Sequence, residues 1–226
     1  MKKNIILILF VLFCSGSVFG GEFEDTLIKA EQGDIIAQGI LGGIYYNGEG
    51  LPQDYKQAVY WYKKSADQGN AIAQYNLGIM YYYGEGLPQD YKQAVYWYKK
   101  SADQGDAFAQ YNLALNFYNG EGVPQDYKQA VYWYKKSANQ GYAKAQYNLG
   151  IMYYNGEGVA QNYKKAYVWK SLAAAQGHKK AAHNINIIAK KLSSRQLYEA
   201  QELAAEIQYR LYGHGVSPAT QNLENL

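Results

Sequence analysis

Histidine is the residue type in this chain with the widest catalytic and metal-binding chemistry, and its spacing favours neither use. The three histidines are His178, His183 and His214, and the first two are five residues apart, so they do not share a face of a helix. The sequence has no His-Glu-x-x-His motif and no carboxylates at metal-ligand spacing. We therefore predict a protein without catalytic residues, metal sites or cofactors.

Glutamate recurs four times at intervals of 36 residues, and serine recurs at intervals of 36, 36 and 34 residues; such residues can act as nucleophiles or cation ligands. The serines share a predicted helix face with alanine and tryptophan, so we interpret them as small packed residues rather than nucleophiles. The glutamates stand between two glycines in predicted turns, so we interpret them as solvated residues, with weak Ca²⁺ contact as the alternative. The two sets are Ser65, Ser101, Ser137 and Ser171, and Glu49, Glu85, Glu121 and Glu157.

The composition argues against several other classes of function. The chain has 226 residues, a formal net charge of +3 and 18% charged residues, which is too weak a charge for a nucleic-acid binder. Arg195 and Arg210 are its only arginines, so phosphate recognition by clustered arginines is not expected. With 48% hydrophobic residues, the composition is not that of a disordered chain. The 26 tyrosines are spread rather than clumped, which indicates a regular structural use.

The first twenty residues have the pattern of a secretory signal peptide. Two lysines precede the apolar run 5–13, and small residues allow cleavage after Gly20. The run is shorter than a membrane-spanning helix, although an uncleaved membrane anchor is an alternative. Lipoprotein cleavage at Cys14 is disfavoured because the bulky Phe13 precedes it. We therefore expect an exported protein, periplasmic or secreted, whose mature chain has no cysteine and does not insert into a membrane.

The rest of the chain contains an internal repeat with a period of 36 residues. Four tryptophans recur at this step, and the segment from Gly48 to Gly69 returns unchanged from Gly84 to Gly105. A fixed period of this length is typical of solenoids, in which each repeat contributes one supersecondary unit. The tryptophans are Trp61, Trp97, Trp133 and Trp169.

Each repeat contains two amphipathic helical patterns, and these helices must position any site. In the second repeat the first helix is predicted over 71–83, with Ala73 and Leu77 on its buried face. The second helix is predicted over 91–104, with Trp97 on its buried face and lysines on the opposite one. Sequence therefore predicts a stack of helical hairpins.

The residues between the helices agree with this assignment. Asp90 is a predicted N-cap, and Gln93, three residues later, completes a predicted capping box. Gly105 stands where a left-handed residue usually ends a helix. Asp106 then follows as the predicted N-cap of the next helix.

The repeat resembles the Sel1-like repeat, a relative of the tetratricopeptide repeat. The shared pattern is A-Q-x-x-L-G-x-x-Y-x-x-G-x-G-x-P-Q-D-Y-x-x-A-x-x-W-Y-x-x-x-A-x-Q-G, which the second repeat has from Ala73 to Gly105. The resemblance implies an all-α fold, a right-handed α-solenoid of helix-turn-helix repeats. The expected segments are a half-repeat helix over 21–33, repeats over 34–69, 70–105, 106–141 and 142–177, capping helices at 179–191 and 194–212 within 178–212, and a flexible tail over 213–226.

A set of tyrosines lies opposite the predicted core of each first helix. On a helical wheel, Tyr75, Ile79 and Tyr82 lie opposite Ala73 and Leu77. Resemblance to tetratricopeptide arrays implies that first helices line a concave surface, where such trios would form a strip that contacts a partner. The alternative is that curvature buries the trios against neighbouring repeats. The predicted binding residues are Tyr75, Asn76, Ile79, Tyr82, Tyr111, Asn112, Leu115, Tyr118, Tyr147, Asn148, Ile151 and Tyr154.

The asparagines of this strip are suited to bonding either an extended peptide backbone or the neighbouring helix. We predict a non-catalytic, monomeric interaction module, a scaffold or adaptor that binds a peptide or partner protein. The resemblance implies that exported members serve envelope assembly or interactions with host cells. One alternative is an enzyme or regulator acting on cell-wall material, and another is a carbohydrate-binding solenoid, because stacked tyrosines also contact sugar faces. Secreted relatives linked to β-lactam binding or hydrolysis are cysteine-rich, and their paired cysteines are absent here.

Overall fold

The structure, a computed structural model, describes residues 19–213 of the chain as eleven α-helices without a β-strand. The predicted all-α solenoid of helix-turn-helix repeats is confirmed, because consecutive helices pack on one another in sequence order. The helices are α1 Phe19–Glu31, α2 Ile35–Asn47, α3 Tyr55–Asp67, α4 Ala71–Tyr83, α5 Tyr91–Asp103, α6 Ala107–Asn119, α7 Tyr127–Asn139, α8 Ala143–Asn155, α9 Tyr163–Ala175, α10 Lys179–Ala189 and α11 Ser194–Tyr212.

Two predictions concern the ends of the chain, which lie largely outside the described residues. The signal peptide falls outside the described residues up to position 18, and α1 begins at Phe19, so the predicted cleavage after Gly20 lies in the first turn of that helix. The predicted flexible tail lies outside the described residues from position 214 onward. No helix within residues 19–213 is long and apolar enough to cross a membrane.

Polar caps and glycines set the limits of the repeat helices. Asp34 begins α2, and its side chain accepts a hydrogen bond from the Ala37 N–H. Gly48 ends the same helix in the left-handed conformation, at φ 73°, and its N–H donates to the carbonyl of Ile44. Equivalent glycines end α4, α6 and α8, so a left-handed glycine ends the first helix of every repeat.

The capping box predicted for Asp90 is only half present. The carboxylate of Asp90 accepts hydrogen bonds from the N–H groups of Lys92 and Gln93, as an N-cap should. The backbone N–H of Asp90, however, donates to the carbonyl of Tyr81 at 2.9 Å, not to the Gln93 side chain. The predicted hydrogen bond from the Asp90 N–H to the Gln93 side chain is therefore wrong. A carbonyl near the end of α4 accepts from this N–H instead, and the local sequence does not reveal that acceptor.

The chain divides within α5 into two compact units, one ending at Trp97 and the other beginning at Tyr98. The first has a core built around Leu41, Leu77 and Met80, with its tryptophans packed beside them. The buried residues of the second include Leu113, Leu149 and Trp169. In α3 and α7 the predicted face is buried and the opposite face, which carries most of the lysines, is largely exposed, as the amphipathic pattern requires.

Buried polar side chains tie each repeat to the previous one in a way that sequence did not suggest. Gln38 is buried, and its Nε2 donates to the carbonyl of Ala30, while its Oε1 accepts from Gln68 Nε2 at 2.7 Å. Gln146 repeats the arrangement in the second unit with Ala138 and Gln176. These bonds satisfy helix-end carbonyls that burial would otherwise leave without donors.

The recurring serines are packed residues, as predicted, and two also bond across helices. Ser65 Oγ donates to the carbonyl of Ile35, and Ser137 Oγ donates to the carbonyl of Ala107, each at 2.7 Å. A hydroxyl engaged in this way inside a core is a structural group. Ser171 departs from the set because it is half-buried.

Candidate interaction surface

The most exposed apolar side chains of the repeats lie in a row along the first helices. One face of α4 carries Ile72, Asn76, Ile79 and Tyr83, at the spacing i, i+4, i+7 and i+11 that keeps residues on one side of a helix. Ile72 is 68% exposed and Tyr83 is 65% exposed, while the two residues between them are half-buried.

The neighbouring first helix of the same unit extends this row. Ile36 and Ile40 occupy the equivalent positions at the start of α2 and are both exposed. Since α2 and α4 pack side by side, three isoleucines and one tyrosine belong to adjoining helices of one compact unit. We call Ile36, Ile40, Ile72 and Tyr83 the isoleucine row.

The isoleucine row lies outside the residues predicted from the helical wheel, although the pattern of its isoleucines is visible in the sequence. Isoleucines at positions 36 and 40, and again at 72 and 79, fall on one helical face. On α4 the predicted strip shares Asn76 and Ile79 with that face, whereas Tyr75 and Tyr82 lie beside it. Tyr75, Asn76, Ile79 and Tyr82 are all half-buried, and the Tyr82 ring packs against that of Tyr91, with 5.1 Å between the ring centroids.

In the second unit the predicted strip residues are half-buried and contact neighbouring helices. The ring of Tyr111 lies 5.8 Å from that of Tyr134 and 5.0 Å from that of Tyr142, centroid to centroid. Burial raises the pKa of Tyr111. Asn112, Leu115 and Tyr118 of the same helix are also half-buried.

In α8, the first helix of the fourth repeat, strip residues bond to or stack on neighbouring side chains. Asn148 Nδ2 donates to the hydroxyl of Tyr134 at 3.2 Å, so this asparagine bonds the neighbouring helix, one of the two uses considered for it. Tyr147 stacks on His178, with ring centroids 4.3 Å apart. Ile151 and Tyr154 are half-buried, and the Tyr154 ring lies 5.3 Å from that of Tyr163.

The recurring turn glutamates have a role that their solvated interpretation missed. Tyr46 Oη donates to Glu85 Oε2 at 3.0 Å, and Tyr118 Oη donates to Glu157 Oε2 at 3.3 Å. Burial, followed by this bond to Glu85, raises the pKa of Tyr46 to about 12. These two glutamates therefore link the turn of one repeat to the first helix of the repeat before it.

Within residues 19–213, no three His, Cys, Asp or Glu side chains gather closely enough to hold a metal ion. The candidate surface consists mainly of apolar and aromatic side chains on helices. Such an arrangement presents contact area and hydrogen-bonding tips, which is the chemistry of recognition.

The pattern of the Sel1 repeat matches residues 35–70, 71–106, 107–142 and 143–178. The chain belongs to the Sel1 repeat family. Its matched Sel1 repeats begin one residue later than the boundaries predicted from the sequence. Sel1 repeat proteins generally mediate protein–protein interactions.

Two crystal structures are similar in fold to this chain. One is a protective antigen present in uropathogenic Escherichia coli strains, displaying an SLR fold, at 35% sequence identity and a TM-score of 0.76. That match covers 92% of this chain and 46% of the antigen, so the chain spans about half of the antigen's length. The other is a Sel1 repeat protein from Oxalobacter formigenes, at 29% identity and a TM-score of 0.68, with 77% of this chain and 74% of that one covered. No curated protein matches the sequence.

Proposed function

We propose that the chain is an exported, non-catalytic interaction module that binds a peptide or protein partner on the exposed face of its first helices. The observation that supports this most is the isoleucine row, which places four large apolar side chains on adjoining helices of one unit. Clustered exposure of such residues is unusual on a monomer that has no partner.

The chemistry of the row suits recognition by contact area. Tyr83 has a broad apolar ring with a polar tip and loses little conformational entropy on binding. The isoleucines are stiff at χ1, so they also lose little freedom when a partner covers them. The half-buried Ile79 and Tyr82 lie beside the row and add apolar contact area for a partner.

The proposed location rests on other observations. The start of the sequence has the composition of a secretory signal, and the similar structure from Escherichia coli is described as a protective antigen. Both support export to the periplasm or beyond. The chain would act there as a monomeric scaffold or adaptor.

The test removes the row without removing the core. Replacing Ile72 with Asp and Tyr83 with Ser changes two side chains that are mostly in solvent, so the helices should remain intact. Tyr75, Tyr111 and Tyr147 are worse targets because at least two of them pack against neighbouring rings. The matched control is Tyr60→Ser, which alters an exposed tyrosine on α3 of the same unit.

The readout is capture of envelope and secreted proteins from the source cells by the immobilised protein, resolved by mass spectrometry. We expect the Ile72/Tyr83 variant to lose a partner that both the wild type and Tyr60→Ser retain, at unchanged helicity by circular dichroism. Capture that is equal in all three proteins would refute the proposed surface.

A further inference from the structure

The fourth repeat has a lysine where the other three have a tyrosine. Lys170 follows Trp169 in α9, at the position held by Tyr62, Tyr98 and Tyr134 in the earlier repeats. Those tyrosines are buried, and Lys170 is buried in the same way, with only 3% of its surface exposed. An ammonium group therefore lies where the repeat normally places a phenol ring.

The surroundings of Lys170 give it room and aromatic contact but no counter-charge. A methyl group added at Gly150 would lie 2.7 Å from Lys170 Cγ, so this glycine accommodates the lysine stem. Lys170 Nζ lies 4.5 Å from the ring centroid of Tyr147, a cation–π contact. Among residues 19–213, no Asp or Glu forms an ion pair with Lys170.

Burial without a carboxylate is costly for an ammonium group, because water is removed and nothing of opposite charge replaces it. Desolvation accordingly lowers the pKa of Lys170 to about 8. At neutral pH the side chain remains mostly protonated, so the charge is present and lacks compensation. The contact with Tyr147 offsets only part of this cost.

His178, which contacts the same Tyr147 ring, lies in a positive field to which Lys170 contributes. The ring of His178 stacks on that of Tyr147. The pKa of His178 is lowered by burial and by the charges of Lys170, Lys180 and Lys144. His178 also caps the N-terminus of α10, where helix dipoles favour an anion.

The tautomer of His178 leaves a hydrogen-bond donor on the second ring nitrogen. Its Nδ1 accepts a hydrogen bond from the Ala181 N–H at 3.3 Å, so the proton of the neutral ring is on Nε2. His178 Nε2 and Lys170 Nζ are therefore both hydrogen-bond donors, and a carboxylate is the acceptor with which such donors bond most strongly. The half-buried ring of Tyr147 contacts both groups.

We propose that Lys170, Tyr147 and His178 form a binding site for an aspartate or glutamate side chain of a peptide or protein partner. The proposal rests on the proposed function, since it assigns one chemical feature to the partner. The lysine at position 170, where the other repeats have tyrosine, makes this site specific to the fourth repeat.

The proposal predicts that the partner's acidic group supplies the charge that the protein lacks at Lys170. Substituting Lys170→Tyr restores the residue of the other repeats, so the fold should be kept while the cation is removed. A matched control is Lys92→Ser, which removes one exposed lysine from α5 and lowers the net charge equally.

The assay measures fluorescence anisotropy of labelled peptides with the full chain at low salt. The first peptide alternates glutamate with alanine and has blocked termini, the second has glutamine in place of glutamate, and the third has only alanine and a free terminal carboxylate. We expect the wild type and Lys92→Ser to bind the glutamate peptide at least about tenfold more tightly than either other peptide. Lys170→Tyr should lose that preference.

Three results would overturn the proposal: equal binding of the glutamate and glutamine peptides, preference for the peptide with the free terminal carboxylate, or unchanged binding by Lys170→Tyr. Partner capture by the Ile72/Tyr83 variant is measured separately. Failure of the peptide assay with intact dependence on Ile72 and Tyr83 would therefore reject this site alone.

Discussion

The hydroxyl of Tyr118 lies 3.3 Å from Glu157 Oε2 and donates a hydrogen bond to it across 39 residues of chain. Tyr46 and Glu85 have the same relationship in the first unit, at 3.0 Å. In both cases the tyrosine ends a first helix and the glutamate lies in the turn of the next repeat. A charge-assisted bond between repeats adds to the packing of one helical hairpin on the next.

Removing one of these hydroxyl groups should weaken the first unit measurably. We expect Tyr46→Phe to lower the free energy of unfolding by about 1 kcal/mol, because a half-buried bond to a carboxylate is lost and the ring is kept. Urea titration followed by circular dichroism would measure it. Tyr60→Phe is the control, since that tyrosine is exposed, and equal losses in the two variants would contradict the assigned role.

Tyrosine ionisation should set the alkaline limit of the fold. Burial, with smaller contributions from nearby carboxylates, raises the pKa of Tyr46 and of Tyr62 to about 12, whereas an unfolded tyrosine ionises near pH 10. Because the folded pKa is the higher one, this contribution to stability is complete below about pH 10 and is lost as the pH rises through about 12.

The measurement is an alkaline titration that follows tyrosinate absorbance and helicity together. Exposed tyrosines should ionise first without loss of helix, and the buried ones should ionise together with unfolding. Ionisation of every tyrosine near pH 10 with the helices intact would show that the rings are not protected as described.

Two adjacent glycines of α2 should respond oppositely to alanine. A methyl group on Gly42 would overlap the ring of Tyr62, so Gly42→Ala should destabilise the protein by about 1–3 kcal/mol. A methyl group on Gly43 meets only the Tyr62 hydroxyl, at 3.6 Å, so Gly43→Ala should stabilise it by about 0.5–1 kcal/mol through helix propensity. Thermal unfolding of both variants tests this, and a shift of the same sign in both would refute the close approach of α2 to Tyr62.

The hydroxyl of Tyr212 should hold the last helix in place. It donates to the carbonyl of Gly141 at 3.0 Å and accepts hydrogen bonds from Gln146 and Gln176. Tyr212→Phe removes three hydrogen bonds, two of them to the buried Gly141 and Gln146, so we expect a loss of about 1–3 kcal/mol. Hydrogen exchange should show the greatest loss of protection in α11, and unchanged protection there would mean that the hydroxyl is not an anchor.

Sequence periodicity was sufficient for the helices but not for their lateral partners. The limits of α4 and α11 agree with the structure because caps, glycines and apolar spacing all act within a few residues. The Tyr118–Glu157 bond joins residues 39 positions apart and depends on how one repeat docks on the next. The Gln38–Gln68 bond joins residues 30 positions apart and depends on how the two helices of one repeat pack. No local pattern specifies that register.

The candidate surface shows the same limit. A helical wheel separates the side facing Leu77 from the opposite side, but it cannot show which flank the adjoining helices cover. Tyr82 is covered in part by Tyr91, whereas Ile72 is left in solvent. Lys170 was missed for a related reason: a lysine in a repeat is ordinarily solvated, and only the structure places this one in the position of a core tyrosine.

The central claim is that the first helices, through the isoleucine row, hold the partner. Its most direct test is photocrosslinking in the native cell, with a photoreactive residue placed at position 72 or 83 and, separately, at the exposed positions 60 or 96 of the second helices. We predict a shared crosslinked protein from positions 72 and 83 that positions 60 and 96 do not give. Crosslinks to a partner from positions 60 and 96, with none from 72 or 83, would contradict the claim.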